Sequence, residues 1–245
     1  MTSAVRHEDT ARSTREVALH VAASRPGRRD AIRDAVKRAI DVAVAAPALV
    51  VLAPLFVTIA LLVVLDSRGP VFYRARRVGY RGQPLAMLKF RKMHRSAQGA
   101  ELTLATDERL TRVGRWLART KLDELPQLWH VLHGEMSLVG PRPEAPSFVA
   151  RFPIEYEAIL STRPGLTGYT QLAFAREGAI LDPQDAQGHY LRTLLPQKVE
   201  LDLLYASRRS TYRDLQILAA TFRTVFLHQP VAVNRKTGEL TLRLR

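Results

Sequence analysis

Twenty-four consecutive residues, Val42 to Leu65 (VAVAAPALVVLAPLFVTIALLVVL), carry no charge, and no other feature constrains the fold as strongly. At about 1.5 Å rise per residue this run makes roughly 36 Å of helix, enough to cross a hydrocarbon core of about 30 Å. Pro47 and Pro54 each remove a backbone donor and crowd the preceding turn, so a kink or break is expected inside it. Basic residues flank both ends: Arg28, Arg29, Arg33, Lys37 and Arg38 before, and Arg68, Arg74, Arg76, Arg77 and Arg81 after. Positive charge resists translocation, so both flanks favour the same face of a membrane. A helix that enters, bends near Pro54 and returns satisfies both observations. A single kinked span is the reading of hydropathy alone and stays open. Asp41 and Asp66 mark the two ends; Asp41 is a candidate partner for a nearby arginine, and Asp66 reads as a solvated helix-end acid.

The chain has 245 residues, enough for one domain of ordinary size with an appendage. With 37 Lys plus Arg against 23 Asp plus Glu, its formal net charge is +14. That excess points to an anionic partner: nucleic acid, a phospholipid surface or a phosphorylated substrate. The chain contains no cysteine, which excludes disulfides, thiolate zinc sites and cysteine nucleophiles and suits a reducing compartment.

Residues 1–36 mix charges, small residues and a Pro-Gly break, and read as a mobile basic N-terminal tail. Residues 37–66 are expected to form a re-entrant membrane helix, 67–230 a cytoplasmic catalytic domain, and 231–245 a C-terminal tail or short strand. After the apolar run, a Gly-Pro turn, an extended stretch at Val71–Tyr73, a basic loop and a second stretch ending at Met93 suit a platform on anionic headgroups. Residues 107–121 place Leu110, Val113, Trp116 and Leu117 at helical spacing with arginines opposite, an amphipathic helix that suits either an interface or a core. Further helical periodicity covers 147–161 and 198–228, and "GELTLRLR" alternates as a strand does. The fold class is therefore mainly α with a few short strands.

The acid pair Asp123-Glu124 in "LDELPQL" stands just ahead of Pro126, a residue tolerated in a first helical turn. Its ordinary reading is a charged helix start, and Thr120-x-x-Asp123 matches a capping box. Its chemical reading divides labour between two carboxylates: one attacks phosphorus, the other holds a divalent cation such as Mg2+, with Mn2+ as a substitute. Such chemistry needs cations for the transferring phosphate. Arg142, set between Pro141 and Pro143, is one candidate. Lys89 and Arg91, at alternate positions of "LKFRKM", would share a face of a strand, and Arg163 opens the turn of "RPGLTG". His130, His133 and Glu135 form a faint metal pattern that reads better as helix-surface residues. "GYRGQ" is a turn and lacks the phosphate-loop pattern.

The motifs "KRAID" (37–41), "GPVFY" (69–73), "RRVGYRG" (76–82), "LKFRKM" (88–93), "DERLTRVGR" (107–115), "LDELPQL" (122–128), "GEMSLVGPRP" (134–143), "RPGLTGYTQL" (163–172), "LDLLY" (201–205) and "RDLQIL" (213–218) occur in order. Together they resemble the bacterial sugar transferases, monotopic polyprenyl-phosphate hexose-1-phosphate transferases that start surface-glycan assembly. The resemblance implies a monotopic membrane protein with a re-entrant helix-break-helix, amphipathic interfacial helices and an active site on the cytoplasmic face of the bacterial inner membrane. It puts the break at Pro54, the nucleophile at Asp123 and its Mg2+-binding partner at Glu124. Lys89, Arg91, Arg142, Pro143 and Arg163 fall on its phosphate- or nucleotide-binding motifs. It implies a UDP-hexose donor, a polyprenyl phosphate acceptor, anionic membrane lipids as partners, no nucleic acid, downstream glycosyltransferases, and leaves a homodimer open. The chain departs from the family in having Ala53 where a serine precedes the proline, Ala118 for an arginine that Arg119 stands beside, Lys121 for a serine and His130 for an asparagine. The rival readings are a non-enzymatic basic membrane-surface adaptor and a membrane-tethered nucleic-acid binder.

Overall fold

The structure, a computed structural model, describes residues 2–23, 27–95, 97, 102–104, 106–175, 177–227 and 229–242. It is mainly helical. Helix α1 (Thr2–Ala23) is followed by α2 (Arg28–Val51), α3 (Ala53–Asp66), strands β1 (Phe72–Val78) and β2 (Pro84–Phe90), and α4 (Arg112–Thr120). A 3-10 turn (Leu122–Gln127) leads into α5 (Leu128–His133), β3 (Ser137–Val139), α6 (Pro146–Val149), α7 (Pro153–Ile159), β4 (Gly165–Thr167) and α8 (Tyr169–Ala173). Short helices α9 (Glu177–Ile180) and α10 (Ala186–His189) precede the long α11 (Leu195–Arg208) and α12 (Thr211–Phe226), and a hairpin of β5 (Val231–Val233) with β6 (Leu240–Leu242) follows.

The apolar run does break near Pro54. Without an N-H, Pro54 cannot donate to the carbonyl of residue 50, and α2 ends at Val51; the proline then sits in the first turn of α3, where no donor is needed. The two helices bend by 59° at Leu52. Among the described residues no single helix is long and apolar enough to cross a membrane, although the bent pair together has that composition. Pro47, expected to add an irregularity, lies inside α2, which continues across it.

Two expectations for the N-terminal part are corrected. Residues 2–23 are helical, and in the second half of that helix Ala18 is fully buried in a cluster with Tyr156, Ile159 and Leu203, so that half is held by packing. The boundary drawn between 36 and 37 falls inside α2, whose Ala45 is buried in the main core with Leu138, Leu201 and Ile217. One face of the α2 part of the apolar run thus packs on the main core through Ala45, with Ala48, Leu49 and Leu52 partly buried against it.

Among the described residues Asp41 does not pair with an arginine. Its Oδ1 accepts from Ser137 Oγ at 3.1 Å and from Leu138 N at 2.9 Å, tying α2 to β3. Nor is Asp66 a merely solvated end, because its Oδ2 accepts from Val113 N at 2.9 Å in the first turn of α4. The first extended stretch runs on past Tyr73, so that Arg74, Arg76 and Arg77, expected in a loop, lie in β1, which pairs with β2 as an antiparallel hairpin, Phe72 opposite Phe90 and Val78 opposite Pro84.

Candidate active site

Asp123 and Glu124 lie in the 3-10 turn and not inside an α-helix. Helix α4 stops at Lys121, whose left-handed φ of 60° turns the chain sharply into Leu122. Thr120 does not form the capping box with Asp123; its hydroxyl donates back to Trp116 O at 3.0 Å. The turn brings Asp123 inward until it is 2% exposed, while Glu124 faces two cations.

Those cations are Lys89 and Arg142. Lys89 Nζ reaches Glu124 Oε1 at 2.8 Å, and Arg142 Nη2 reaches the same oxygen at 2.7 Å, with Nη1 at 3.4 Å from Oε2. Burial would raise the Glu124 carboxyl, but Arg142 and Lys89 outweigh it and hold the pKa well below the usual carboxylate value. Burial pulls the Lys89 ammonium below its ordinary value, with Glu124 opposing. Asp123 has a looser neighbour, Lys92 Nζ at 3.6 Å from Oδ2, and its buried Oδ1 has no hydrogen-bond partner. An unpartnered buried carboxylate oxygen is costly, and it stands one residue before the acid that Lys89 and Arg142 hold.

The Arg142 loop is braced by backbone. Strands β3 and β4 run parallel; Gly140 N donates to Thr167 O at 2.9 Å and Gly165 N to Pro141 O at 2.8 Å. The chains approach so closely that a Cβ on Gly165 would lie 2.0 Å from Gly140 N, which only glycine avoids. Pro143 is buried, and every peptide bond among the described residues is trans.

Two expected site residues are placed elsewhere. Arg91, one residue past the end of the strand that carries Lys89, donates to the carbonyls of Arg68 (2.8 Å), Val63 (3.3 Å) and Ser67 (2.5 Å) at the end of α3. Arg163 donates to Gly134 O at 2.9 Å and stacks 5.2 Å over the Tyr80 ring, so the "RPG" turn meets the site through its backbone. His130 is not a helix-surface residue: it is buried, its Nε2 accepts from Leu88 N at 3.0 Å, and its Nδ1 contacts Glu135 at 2.5 Å, which fixes β2 beside Lys89. Arg119 is exposed on α4.

A second polar group escaped the sequence reading. Lys198 Nζ, 2% exposed, lies 3.0 Å from Glu144 Oε1, 2.8 Å from Glu177 Oε2 and 2.9 Å from the Tyr190 hydroxyl. Glu144 directly follows the Arg142-Pro143 pair, so Lys198 holds the loop from beneath. One turn on, Asp202 accepts from Thr170 Oγ1 at 2.5 Å. Burial pushes its carboxyl up to about 7. The i, i+4 spacing of Lys198 and Asp202 on α11 was available in the sequence, but nothing in it showed which loop they meet.

No group of three His, Asp or Glu side chains suited to a metal occurs among the described residues. The donor set at the acids fits a hard cation nonetheless, since Mg2+ needs only one or two carboxylates together with phosphate oxygens and water. Asp123 supplies a free oxygen for such an ion.

Residues 32–228 match the family model described as bacterial sugar transferase. The chain is 41% identical over 191 residues to a UDP-glucose:undecaprenyl-phosphate glucose-1-phosphate transferase of Caulobacter vibrioides, covering 76% of this chain and 67% of that protein. It is 39% identical over 196 residues to an undecaprenyl-phosphate glucose phosphotransferase of Komagataeibacter xylinus, covering 76% of this chain but only 35% of that longer protein. An exopolysaccharide production protein of Rhizobium leguminosarum is 37% identical over 194 residues, covering 76% and 92%. With most of its length inside the matched region and an acid pair whose Glu124 is framed by Lys89 and Arg142, the chain belongs to the bacterial sugar transferase family.

Proposed function

We propose that this protein transfers a sugar 1-phosphate from a UDP-hexose to polyprenyl phosphate, giving a polyprenyl diphosphate-linked sugar and UMP. The observation that carries the reading is the buried, unpartnered Asp123 Oδ1 next to a carboxylate gripped by two cations. Similarity to transferases whose names specify UDP-glucose and undecaprenyl phosphate supports the substrate classes.

In the first step the Asp123 carboxylate attacks the sugar-proximal phosphorus; the bond to the bridging oxygen breaks, and UMP leaves with the electron pair. In the second, an oxygen of the lipid phosphate attacks the phosphoryl-aspartate and returns Asp123 as a free carboxylate. Lys89 and Arg142 are positioned for the charge on the transferring group, and Lys92 reaches toward the attacking carboxylate. Ionised Glu124 keeps the two cations apart and oriented until phosphate oxygens replace part of its grip. Asp123 and Glu124 would hold Mg2+, which when bound would neutralise diphosphate charge.

The lipid substrate requires a membrane surface. Val50 and Val51 are each 75% exposed and Leu65 is 81% exposed around the bent hairpin, with Phe72, Tyr73 and Trp116 also exposed. Such an apolar surface on an otherwise basic chain suits a re-entrant hairpin in the cytoplasmic leaflet.

The test is UMP release from UDP-hexoses without lipid acceptor, wild type against Asp123→Asn. The wild type is expected to give a single turnover and the variant none; undiminished release from the variant would remove Asp123 as nucleophile. Running a panel of UDP-sugars identifies the hexose.

A further inference from the structure

The end of α3 is joined to the acid site from two directions. On one side, strand β2 carries Lys89 to Glu124, and Arg91, which directly follows the strand, reaches the carbonyls of Val63, Ser67 and Arg68. The last carbonyls of a helix have no partner of their own and carry the negative end of its dipole, so a guanidinium fork caps them. Gly69, at φ +135°, leaves the passage open: a Cβ there would lie 2.3 Å from Arg91 Nη1.

On the other side, Asp66 accepts from Val113 N and so helps cap α4, the helix that ends one residue before the acid turn. Helix α4 in turn lies directly on the extension of β2. Thr111 N donates to Lys92 O at 3.0 Å, and a Cβ on Gly114 would sit 1.9 Å from that same oxygen. Between these polar ties, Ile59 and Val63 of α3, Phe90 of β2 and Leu117 of α4 form one buried cluster, with Leu122 packed against it next to Asp123.

We infer that Arg91 and Asp66 are positioning residues, which clamp the last turn of the apolar hairpin to the strand bearing Lys89 and to the helix that delivers Asp123. The hairpin is then part of the frame that sets nucleophile-to-cation geometry, beyond any role as an anchor. Arg91 makes no ion pair with a carboxylate among the described residues and its Nε has no partner, although it is buried. A buried cation held by carbonyls alone is a poor way to gain stability, which favours a positioning role. The inference rests on the reading of Asp123 as the nucleophile.

The experiment uses the full chain in lipid nanodiscs and follows single-turnover UMP release at saturating UDP-hexose, with melting temperature and nanodisc retention measured in parallel. Arg91→Gln is expected to lower the rate constant about tenfold or more, because small misplacements of reacting groups cost that much. Its final amplitude, donor concentration dependence, melting and retention should stay near wild type, and Arg91→Lys should recover part of the rate. Asp66→Ala is expected to slow the step and Asp66→Asn, which keeps an acceptor for Val113, to spare it. An unchanged rate in Arg91→Gln, or a loss that only tracks reduced amplitude, melting or retention, overturns the clamp. A wild-type chain that releases no UMP from any UDP-hexose sinks the nucleophile reading, and the clamp with it.

Discussion

Lys89 and Arg142, from a strand and from a proline-bounded loop 53 residues apart in number, converge on one oxygen, Oε1 of Glu124, at 2.8 and 2.7 Å. Two cations on a single half-buried acceptor are stable only while that acceptor is ionised, so the pairing of Lys89 with Arg142 depends on the charge of Glu124.

Glu124→Gln leaves a buried lysine and a half-buried arginine facing a neutral amide. A loss of stability on the order of 3 kcal/mol is expected in chemical denaturation, the scale of breaking a buried pair from one side. Adding Lys89→Met should restore part of it, since one excess charge is then removed.

Acid dependence follows from the same group. The folded Glu124 pKa lies well below 4.5, so its stabilising contribution is present above that value and is lost as pH falls through it. Wild type should therefore lose more stability between pH 5 and pH 3 than Glu124→Gln, roughly as the linkage slope requires. Melting curves of both at the two pH values provide the check.

Asp202 has the opposite sign. Its pKa rises from 3.8 to about 7 on folding because burial disfavours the charge, so stability falls as pH rises through that window. Asp202→Asn should match wild type near pH 4 and exceed it at pH 8 by on the order of a few kcal/mol. Equal melting differences at both pH values would contradict this.

Lys198→Met leaves Glu144 and Glu177 buried or half-buried without their cation. A destabilisation of about 3 kcal/mol and a fall in UMP-release rate are expected, because the Arg142 loop loses its support. Glu144→Gln in the same chain should cost less than the sum of the two changes. Denaturation and rate measurements on the three variants decide it.

Same-side topology can be read by thiol labelling, since the chain has no cysteine of its own. Cysteines replacing Arg29 and Arg76, both exposed, should label from one side of sealed vesicles. Labelling from opposite faces would restore a single span.

Much of the architecture was legible because it depends on local order. The uncharged run, the proline at 54, the strand alternation in "LKFRKM" and the acid pair ahead of Pro126 are all short-range features. Less legible were the partners. Alternate spacing put Lys89 and Arg91 on one face of a strand, but spacing sets the face and not what lies along it: Lys89 meets an acid and Arg91 a helix end. His130 looked like surface because its partner, the Leu88 amide, comes from a hairpin 42 residues away.

The sequence alone determined the class of this protein: a basic chain with a proline-broken apolar hairpin and an ordered series of motifs around an acid pair. Tertiary structure decided which charges meet the acid pair and which tie other parts of the frame together. Arg163, for all its place in a motif, contributes a backbone brace and a stack on Tyr80, whereas Lys198, which no motif singled out, supports the Arg142 loop from 54 residues beyond Glu144. The physical reason is that an ionised side chain is defined by what neutralises it after burial, and that partner is chosen by the packing of distant segments.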